Sequence, residues 1–367
     1  MANMTDENST TDQTNINTIQ TVPEAFFDPS WQIALTVEFY FKYAVIATGI
    51  FGTAANATVL YALIAHYARD AKKRVINLLI INQNVLDFLS CLLLVISFCI
   101  QIGNIYVSGA FGYVLCVFFL NGTATQCVLY GSNINLVALT IERYLKVVHA
   151  LWSKKNLKRW MVHAAMAFAW IGGIASATPI SFIMTHVESG FCIAYFESPV
   201  SDYIYGGCNL VLFCLFPLFI FIYCYWRIVA VIRRQMRVMA GHSVEGSSQV
   251  NASQAQSKRI KWNIIKTMII VTVFFVLCWF PINVYWLVLM FLLKSRTLVV
   301  GFYPVVFLVY LNVCMNPFIY ALKHEGVKQQ LARLMVCHKP RNVGDTSGRN
   351  GNRADASKQT RTGAAHS

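Results

Sequence analysis

Long apolar stretches recur along this chain, and they constrain its fold more than any other feature. A helix needs about 20 mostly apolar residues to cross the ~30 Å hydrocarbon core of a bilayer. Windows of that kind occur seven times, at about residues 40–66, 75–102, 112–147, 159–182, 203–232, 263–293 and 299–322. Hydrophobic residues make up 56% of the chain and charged residues 13%, and the mean hydropathy of +0.52 is unlike that of a soluble domain. The sequence therefore predicts an all-α membrane protein, a bundle of seven transmembrane helices, here called spans one to seven.

The positions of the basic residues predict the orientation of the bundle. Lys and Arg gather on the cytoplasmic side of membrane proteins. If the amino terminus is extracellular, all but Lys42, Lys294 and Arg296 of the 30 Lys and Arg residues lie in cytoplasmic segments. We therefore expect a multi-pass protein of the plasma membrane with a cytoplasmic carboxyl terminus. The net charge of +14 then fits the anionic lipids of the inner leaflet and an acidic cytoplasmic partner better than nucleic acid.

Composition divides the chain into four parts. We expect an extracellular tail (1–39), a seven-helix membrane domain (40–322), a short amphipathic helix at the membrane interface (323–338) and a disordered cytoplasmic tail (339–367). The Ser- and Gln-rich segment 237–257 lacks periodicity and predicts a flexible loop.

Three residues outside the spans are candidates for modification. Asn3 and Asn8 begin glycosylation sequons in the extracellular tail, although so short a pattern is weak on its own. Cys337 follows the amphipathic stretch and is a candidate for palmitoylation, the alternative being an ordinary unmodified cysteine.

Two cysteines face the oxidising side of the membrane. Cys116 lies at the outer end of span three, and Cys192 lies in the loop between spans four and five. We expect a disulfide between them that ties this loop to the outer end of the bundle.

Polar residues within the spans cost free energy to bury in the bilayer, so their presence indicates a function. Asp87, Ser132, Asn312 and Asn316 have similar predicted depths in spans two, three and seven. Their carboxylate, hydroxyl and amide oxygens suit a hard cation such as sodium. The alternatives are a hydrogen-bonded polar cluster that only packs helices, and a protonated Asp87.

Proline interrupts three strongly apolar spans. Pro217, Pro281 and Pro317 each remove a backbone hydrogen bond and kink a helix. A kink alone is common in membrane helices. Together with the polar residues, the kinks predict a bundle that changes shape.

Short motifs at the ends of the spans resemble those of a known family. The run Glu142-Arg143-Tyr144 ends span three, Cys278-Trp279-Phe280-Pro281 lies in span six, and Asn316-Pro317-Phe318-Ile319-Tyr320 lies in span seven. These resemble the (D/E)-R-Y, C-W-x-P and N-P-x-x-Y motifs of rhodopsin-like, class A G protein-coupled receptors. Further positions in spans one, two, four and five match that family, namely Asn56, Val59, Asp87, Trp170, Pro217 and Tyr225.

The resemblance implies a receptor that performs no covalent chemistry and has no cofactor. An extracellular ligand would act through Phe275, Trp279 and Pro281, and span six would swing outward. Arg143, held by Glu142 at rest, would then meet a heterotrimeric G protein together with Tyr225 and Tyr320. Arrestin, receptor kinases and membrane lipids are further implied partners. The polar cluster of Asp87, Ser132, Asn312 and Asn316 would hold a regulatory sodium ion.

Departures from the family pattern restrict the ligand and the resting state. Thr125 stands where amine receptors carry an acid, which disfavours monoamines, and Tyr310 stands where opsins carry the retinal-binding lysine, which excludes retinal. Lys261 replaces a frequent acid in span six, so we expect no resting salt bridge from Arg143 to that span and some basal activity. The distance from Cys116 to Arg143 is about two residues longer than usual and predicts a bulge in span three.

The remaining polar and aromatic residues near the outer ends predict the ligand pocket, formed by Thr125, Gln126, Asn283, Tyr285, Trp286 and Tyr310. Acidic residues in the outer tail and in the loop before span five make the entrance negative, which favours a cationic peptide. A lipid, a small organic ligand or an odorant is the alternative, and the aromatic residues could also form an interfacial belt.

Two other classes of function are disfavoured. A channel or transporter could use Asp87 in an ion path, but the helix number is odd and no inverted repeat is found. The sequence contains no metal-binding cluster, nucleophile and base pair, or glycine-rich phosphate loop that would predict an enzyme.

Overall fold

The computed structural model describes residues 29–68, 78–103, 105–241, 248–288, 299–323 and 332. Within them, seven helices are long and apolar enough to cross a membrane. The helices that form spans one to seven are Pro29–Ala68; Leu78–Ile102; Gly109–Leu115 with Thr123–Val148; Arg159–Met184; Pro199–Leu210 with Phe216–Gly241; Ser248–Val288; and Val299–Lys323. The predicted seven-helix fold is confirmed.

The helices extend beyond the apolar windows at several ends. Span one begins at Pro29, ahead of the predicted boundary near residue 40. Span five ends at Gly241 and span six begins at Ser248, so the prediction of a flexible loop over 237–257 was wrong for both ends of that segment. Ala, Gln, Lys and Arg in 248–261 tolerate helix well, and adding turns to an existing helix costs far less than nucleating one.

Some sequence predictions concern residues outside the described ranges. Asn3, Asn8 and Cys337 lie there, as do almost all of the amphipathic segment 323–338 and the whole of the tail 339–367. They remain predictions.

Span three contains the predicted bulge. A π-helical turn occupies Cys116–Leu120, where the backbone N–H of Asn121 donates to Cys116 O over 2.9 Å. Gly122 follows with a φ of +72°, and the long helix restarts at Thr123. The Oγ1 of Thr123 donates to Val117 O over 2.6 Å and satisfies one of the carbonyls that the break exposes.

A short β-hairpin lies between spans four and five. Strand β1 (Thr185–Glu188) pairs antiparallel with strand β2 (Phe191–Ala194). The predicted disulfide joins Cys192 of β2 to Cys116, with a Cα–Cα distance of 5.6 Å. The hairpin is thereby held against the outer end of span three.

The interior of the bundle has two apolar clusters. One includes Tyr130, Phe221, Phe275 and Trp279, from spans three, five and six, and the other includes Val45, Leu94 and Val313, from spans one, two and seven. Many large apolar side chains face outward, as lipid contact requires, including Phe111, Phe168, Phe219 and Trp226. Polar residues lie between the two clusters and above them, and they form the candidate sites.

Candidate functional site

A cavity of about 220 Å³ opens between the outer halves of spans three, four, five, six and seven. Polar, aromatic and aliphatic side chains share its surface. Its lining residues are Asn121, Thr123, Gln126, Tyr130, Ser181, Met184, Tyr205, Gly206, Asn209, Phe213, Trp279, Ile282, Asn283, Trp286, Phe302, Val306, Val309 and Tyr310. None of these described residues is Asp, Glu, Lys or Arg, so the described lining of the cavity carries no formal charge.

The cavity contains part of the predicted pocket. Gln126, Asn283, Trp286 and Tyr310 line it, whereas Thr125 and Tyr285 are not among its lining residues. Helical periodicity explains why Gln126 rather than Thr125 lines the cavity, since residues three or four apart share one face of a helix. Thr123, Gln126 and Tyr130 follow that spacing, while Thr125 is buried away from this face.

Other lining residues were not predicted, although one of them carried a readable signal. Asn209 lies in the apolar part of span five, and a polar residue within a span indicates a functional site, as Asp87 does. Asn121 and Ser181 lie at an irregular turn and at a helix end, where spacing alone does not show which way a side chain points.

Aromatic rings form the floor of the cavity and continue below it. Tyr130 stacks on Phe213 with ring centroids 3.9 Å apart, and its hydroxyl contacts Asn209 Oδ1. The Tyr130 ring lies 6.4 Å from that of Trp279, and the Trp279 and Phe275 rings stack at 5.7 Å. Contacts therefore run without a gap from the cavity to the predicted switch residues of span six.

Asn133 lies beside this column and is buried in span three. Its Nδ2 donates to Phe213 O over 3.0 Å. Phe213 belongs to the π-helical turn Val211–Leu215 of span five. The buried amide of Asn133 thus pairs with a backbone carbonyl of span five.

Two acidic residues of the loop between spans four and five lie outside the lining of the cavity. Glu188 and Glu197 are exposed, on the hairpin and just after it. The Tyr195 hydroxyl donates to Glu188 Oε1 over 2.9 Å, and this hydrogen bond raises the pKa of Tyr195 above its usual value. The negative entrance predicted from the sequence stays a prediction.

Three of the predicted sodium ligands meet in the middle of the bundle. Asp87 is fully buried, Ser132 Oγ donates to its Oδ1 over 2.8 Å, and Asn316 Nδ2 donates to its Oδ2 over 2.8 Å. Gln83, which was not predicted, donates from Nε2 to Oδ1 over 3.1 Å. It lies one helical turn before Asp87, so the spacing of polar residues in span two contained this signal.

The fourth predicted ligand, Asn312, lies on a separate cavity of about 10 Å³. Gln83, Ser132 and Asn316 also line that cavity, but Asp87 does not. The Oδ1 atoms of Asn312 and Asn316 have no hydrogen-bond partner. Elsewhere in the described residues, no group of three or more His, Cys, Asp or Glu could hold a metal ion.

Glu142 contacts two basic side chains at the inner end of span three. Arg143 Nε lies 3.3 Å from Glu142 Oε2, as predicted for the resting pair, and Lys146 Nζ forms an ion pair with Oε1. Lys146 was not predicted as a partner, although its place four residues after Glu142 is the usual spacing of helical ion pairs.

Tyr225 joins three spans near the same level. Its hydroxyl lies 3.2 Å from Thr140 Oγ1 of span three and accepts a hydrogen bond of 3.2 Å from Thr272 Oγ1 of span six. Pro281 and Pro317 lie inside their helices as predicted. The side chains of Tyr320 and Lys261 are outside the described set, so their predicted roles stay predictions.

A family model described as 7 transmembrane receptor (rhodopsin family) matches residues 55–320 of this chain. The chain belongs to this receptor family. Its members are receptors and not enzymes, which agrees with the prediction from sequence. A multi-pass membrane protein with this family's fold is thereby established, and a channel or transporter has no support.

Relatives of this receptor extend the similarity over most of the chain. Somatostatin receptor type 5 of Rattus norvegicus is 26% identical over 292 residues, 77% of this chain and 74% of the relative. Galanin receptor type 1 of Mus musculus is 26% identical over 302 residues, 80% of each chain. Substance-K receptor of Mus musculus is 26% identical over 275 residues, 72% of this chain and 64% of the relative.

The fold of this receptor is also similar to that of squid rhodopsin. The crystal structure of squid rhodopsin superposes with a TM-score of 0.67 at 18% identity, covering 85% of this chain and 89% of that one. At that identity the similarity concerns the fold alone.

Proposed function

We propose that this receptor binds an extracellular peptide and promotes nucleotide exchange on a heterotrimeric G protein. Somatostatin, galanin and substance K, after which its relatives are named, are peptides. The observation that carries the proposal is the outer cavity, whose described lining residues carry no charge, together with exposed Glu188 and Glu197 in the loop that follows span four.

The absence of charged side chains from the described lining of the cavity favours a particular kind of ligand. A monoamine needs a buried counter-ion for its ammonium group, since an unpaired charge is costly away from water. The lining residues offer amides, hydroxyls and rings instead, among them Gln126, Asn209 and Asn283. The inserted part of the ligand is therefore uncharged, and its basic groups stay outside the cavity, beside Glu188 and Glu197.

The size of the cavity also favours a peptide ligand. Sites that enclose a drug-sized molecule measure about 300–1,000 Å³, whereas this cavity measures about 220 Å³. It has room for the tip of a ligand whose remaining parts contact the hairpin. A peptide has that shape, with further contacts to β1 and β2.

The apolar side of the cavity favours a second candidate. Ile282, Phe302, Val306 and Val309 cover much of its wall in spans six and seven. A lipid, a small organic molecule or an odorant would contact that wall, and Glu188 and Glu197 would then have no role in binding.

The proposed coupling mechanism uses the contacts below the cavity. A ligand that shifts Tyr130 also shifts Trp279 and Phe275, because these rings touch. An outward swing of span six breaks the hydrogen bond from Thr272 to Tyr225. Arg143, released from Glu142, then contacts the G protein, and by linkage ligand and G protein raise each other's affinity. Arrestin and receptor kinases are proposed partners of the same inner face.

The test is a second-messenger assay in cells that express the receptor. Calcium and cyclic AMP are recorded while separate panels of peptides, amines, lipids and odorants are applied. We expect a dose-dependent response to a peptide, and we expect Arg143→Ala to abolish it at equal surface expression. A response confined to lipids or odorants would contradict the peptide proposal.

A matched pair of variants tests the cavity. Loss of one hydrogen bond to the ligand costs about 1–1.5 kcal/mol, or roughly tenfold in affinity. Gln126→Leu should therefore raise the half-maximal peptide concentration about tenfold. Ile141→Leu, on the lipid-facing side of the same helix, should leave that concentration unchanged.

A further inference from the structure

The surroundings of Asp87 do not suit the sodium ion that the family resemblance implies. A hard cation needs oxygen lone pairs directed at it. Three groups face the Asp87 carboxylate, and all of them are donors: Gln83 Nε2, the Ser132 hydroxyl and Asn316 Nδ2. The carboxylate is therefore satisfied by hydrogen atoms on both of its oxygens.

The direction of the Gln83 amide is determined from outside the site. Gln83 Oε1 accepts from Asn135 Nδ2 over 2.8 Å, and Asn135 Oδ1 accepts from Asn82 Nδ2 over 2.9 Å. Asn82 Oδ1 in turn accepts from Trp170 Nε1 over 3.1 Å. We call Asn82, Asn135 and Gln83 the amide relay.

An indole N–H can only donate, so Trp170 gives the amide relay one polarity. Each amide accepts on the side of Trp170 and donates on the side of Asp87. Turning the Gln83 amide over would place its oxygen against the carboxylate and its nitrogen against Asn135 Nδ2. Two hydrogen bonds would be replaced by two repulsive contacts inside the bundle, where unmade hydrogen bonds are expensive.

The unpaired oxygens nearby do not restore a cation site. Those of Asn312 and Asn316 border the cavity of about 10 Å³, whose lining excludes Asp87. That volume is close to the minimum for a single water molecule.

We propose that the Gln83 side-chain amide takes the place at Asp87 that a sodium ion would occupy, so that this receptor does not bind regulatory sodium. The amide relay supplies the donor from within the protein. The resting bundle is then stabilised equally in the presence and absence of sodium, whatever ligand and G protein it uses.

The test is thermal unfolding of the purified full-length receptor in detergent, with sodium chloride replaced stepwise by choline chloride at constant ionic strength. The wild-type midpoint should not depend on the sodium concentration. Gln83→Leu removes the donor and leaves Asp87 facing only Ser132 and Asn316. Its midpoint should rise with sodium and saturate, as binding to the folded state requires.

Controls make each outcome decisive. Gln101→Leu removes a glutamine from the same helix far from Asp87, where its Nε2 donates to Leu120 O, and it should gain no response to sodium. Gln83→Met, which keeps the side-chain length, replaces Gln83→Leu if that variant does not fold. A saturable, sodium-specific rise in the wild type would overturn the proposal, as would the absence of any rise in the Gln83 variants. The measurement needs neither ligand nor G protein, so its failure is distinct from failure of the proposed function.

Discussion

Single residues decide how closely the helices approach. At Gly173 in span four, a Cβ atom would lie 2.7 Å from the backbone N of Gly131 and 3.0 Å from its Cα. Real Cβ atoms do not come so close to backbone. Small residues at such crossings allow membrane helices to pack backbone against backbone.

The neighbouring glycine provides a matched control for this contact. A Cβ at Gly172 would meet only the flexible end of Ile134, at 2.9 Å. We expect Gly173→Ala to lower the free energy of unfolding by about 1–3 kcal/mol, the usual cost of overpacking. Gly172→Ala should cost clearly less, and thermal unfolding of both purified variants measures the difference. Equal costs would show that spans three and four are not in backbone contact here.

Sequence reasoning identified polar residues better than it identified their partners. Asp87, Ser132 and Asn316 were predicted to lie together, and they do, because charged and amide groups in a membrane helix must find one another. Gln83 changed the chemistry of that cluster. Its amide direction depends on Trp170, two spans away, which spacing along one helix does not reveal.

At the scale of an element, the break in span three is the main irregularity. The extra length between Cys116 and Arg143 predicted a bulge, but a count cannot say where the extra residues lie. The structure places them in the π-helical turn and at Gly122, just above the cavity. Below the break, the helix presents Gln126 rather than Thr125 to the cavity.

The break depends on a backbone conformation that favours glycine. Gly122 has a φ of +72° and open space around its Cα, so a methyl group there adds strain without a clash. We expect Gly122→Ala to lower the free energy of unfolding by about 1–2 kcal/mol. Gly207→Ala is the control, since Gly207 is helical and equally open; it should be neutral or stabilising by up to about 1 kcal/mol. The opposite order in thermal unfolding would contradict the described turn.

At the scale of the whole molecule, the seven apolar windows predicted the fold almost completely, because a bilayer leaves few alternatives to a helical bundle. The hairpin of β1 and β2 was not predicted, since strands of four residues outside the membrane leave little pattern in the sequence. It also shapes the entrance, which is why ligand class is harder to infer than fold.

The central claim is that a peptide bound at the outer cavity drives exchange on a G protein through Arg143. The most direct measurement is peptide-stimulated binding of a non-hydrolysable GTP analogue to Gα subunits of each major class, in membranes containing the receptor and the peptide found active in cells. We predict stimulation with at least one class, and its loss in Arg143→Ala while the variant still binds the peptide. Peptide binding without stimulation of any class, or equal stimulation in Arg143→Ala, would contradict the account.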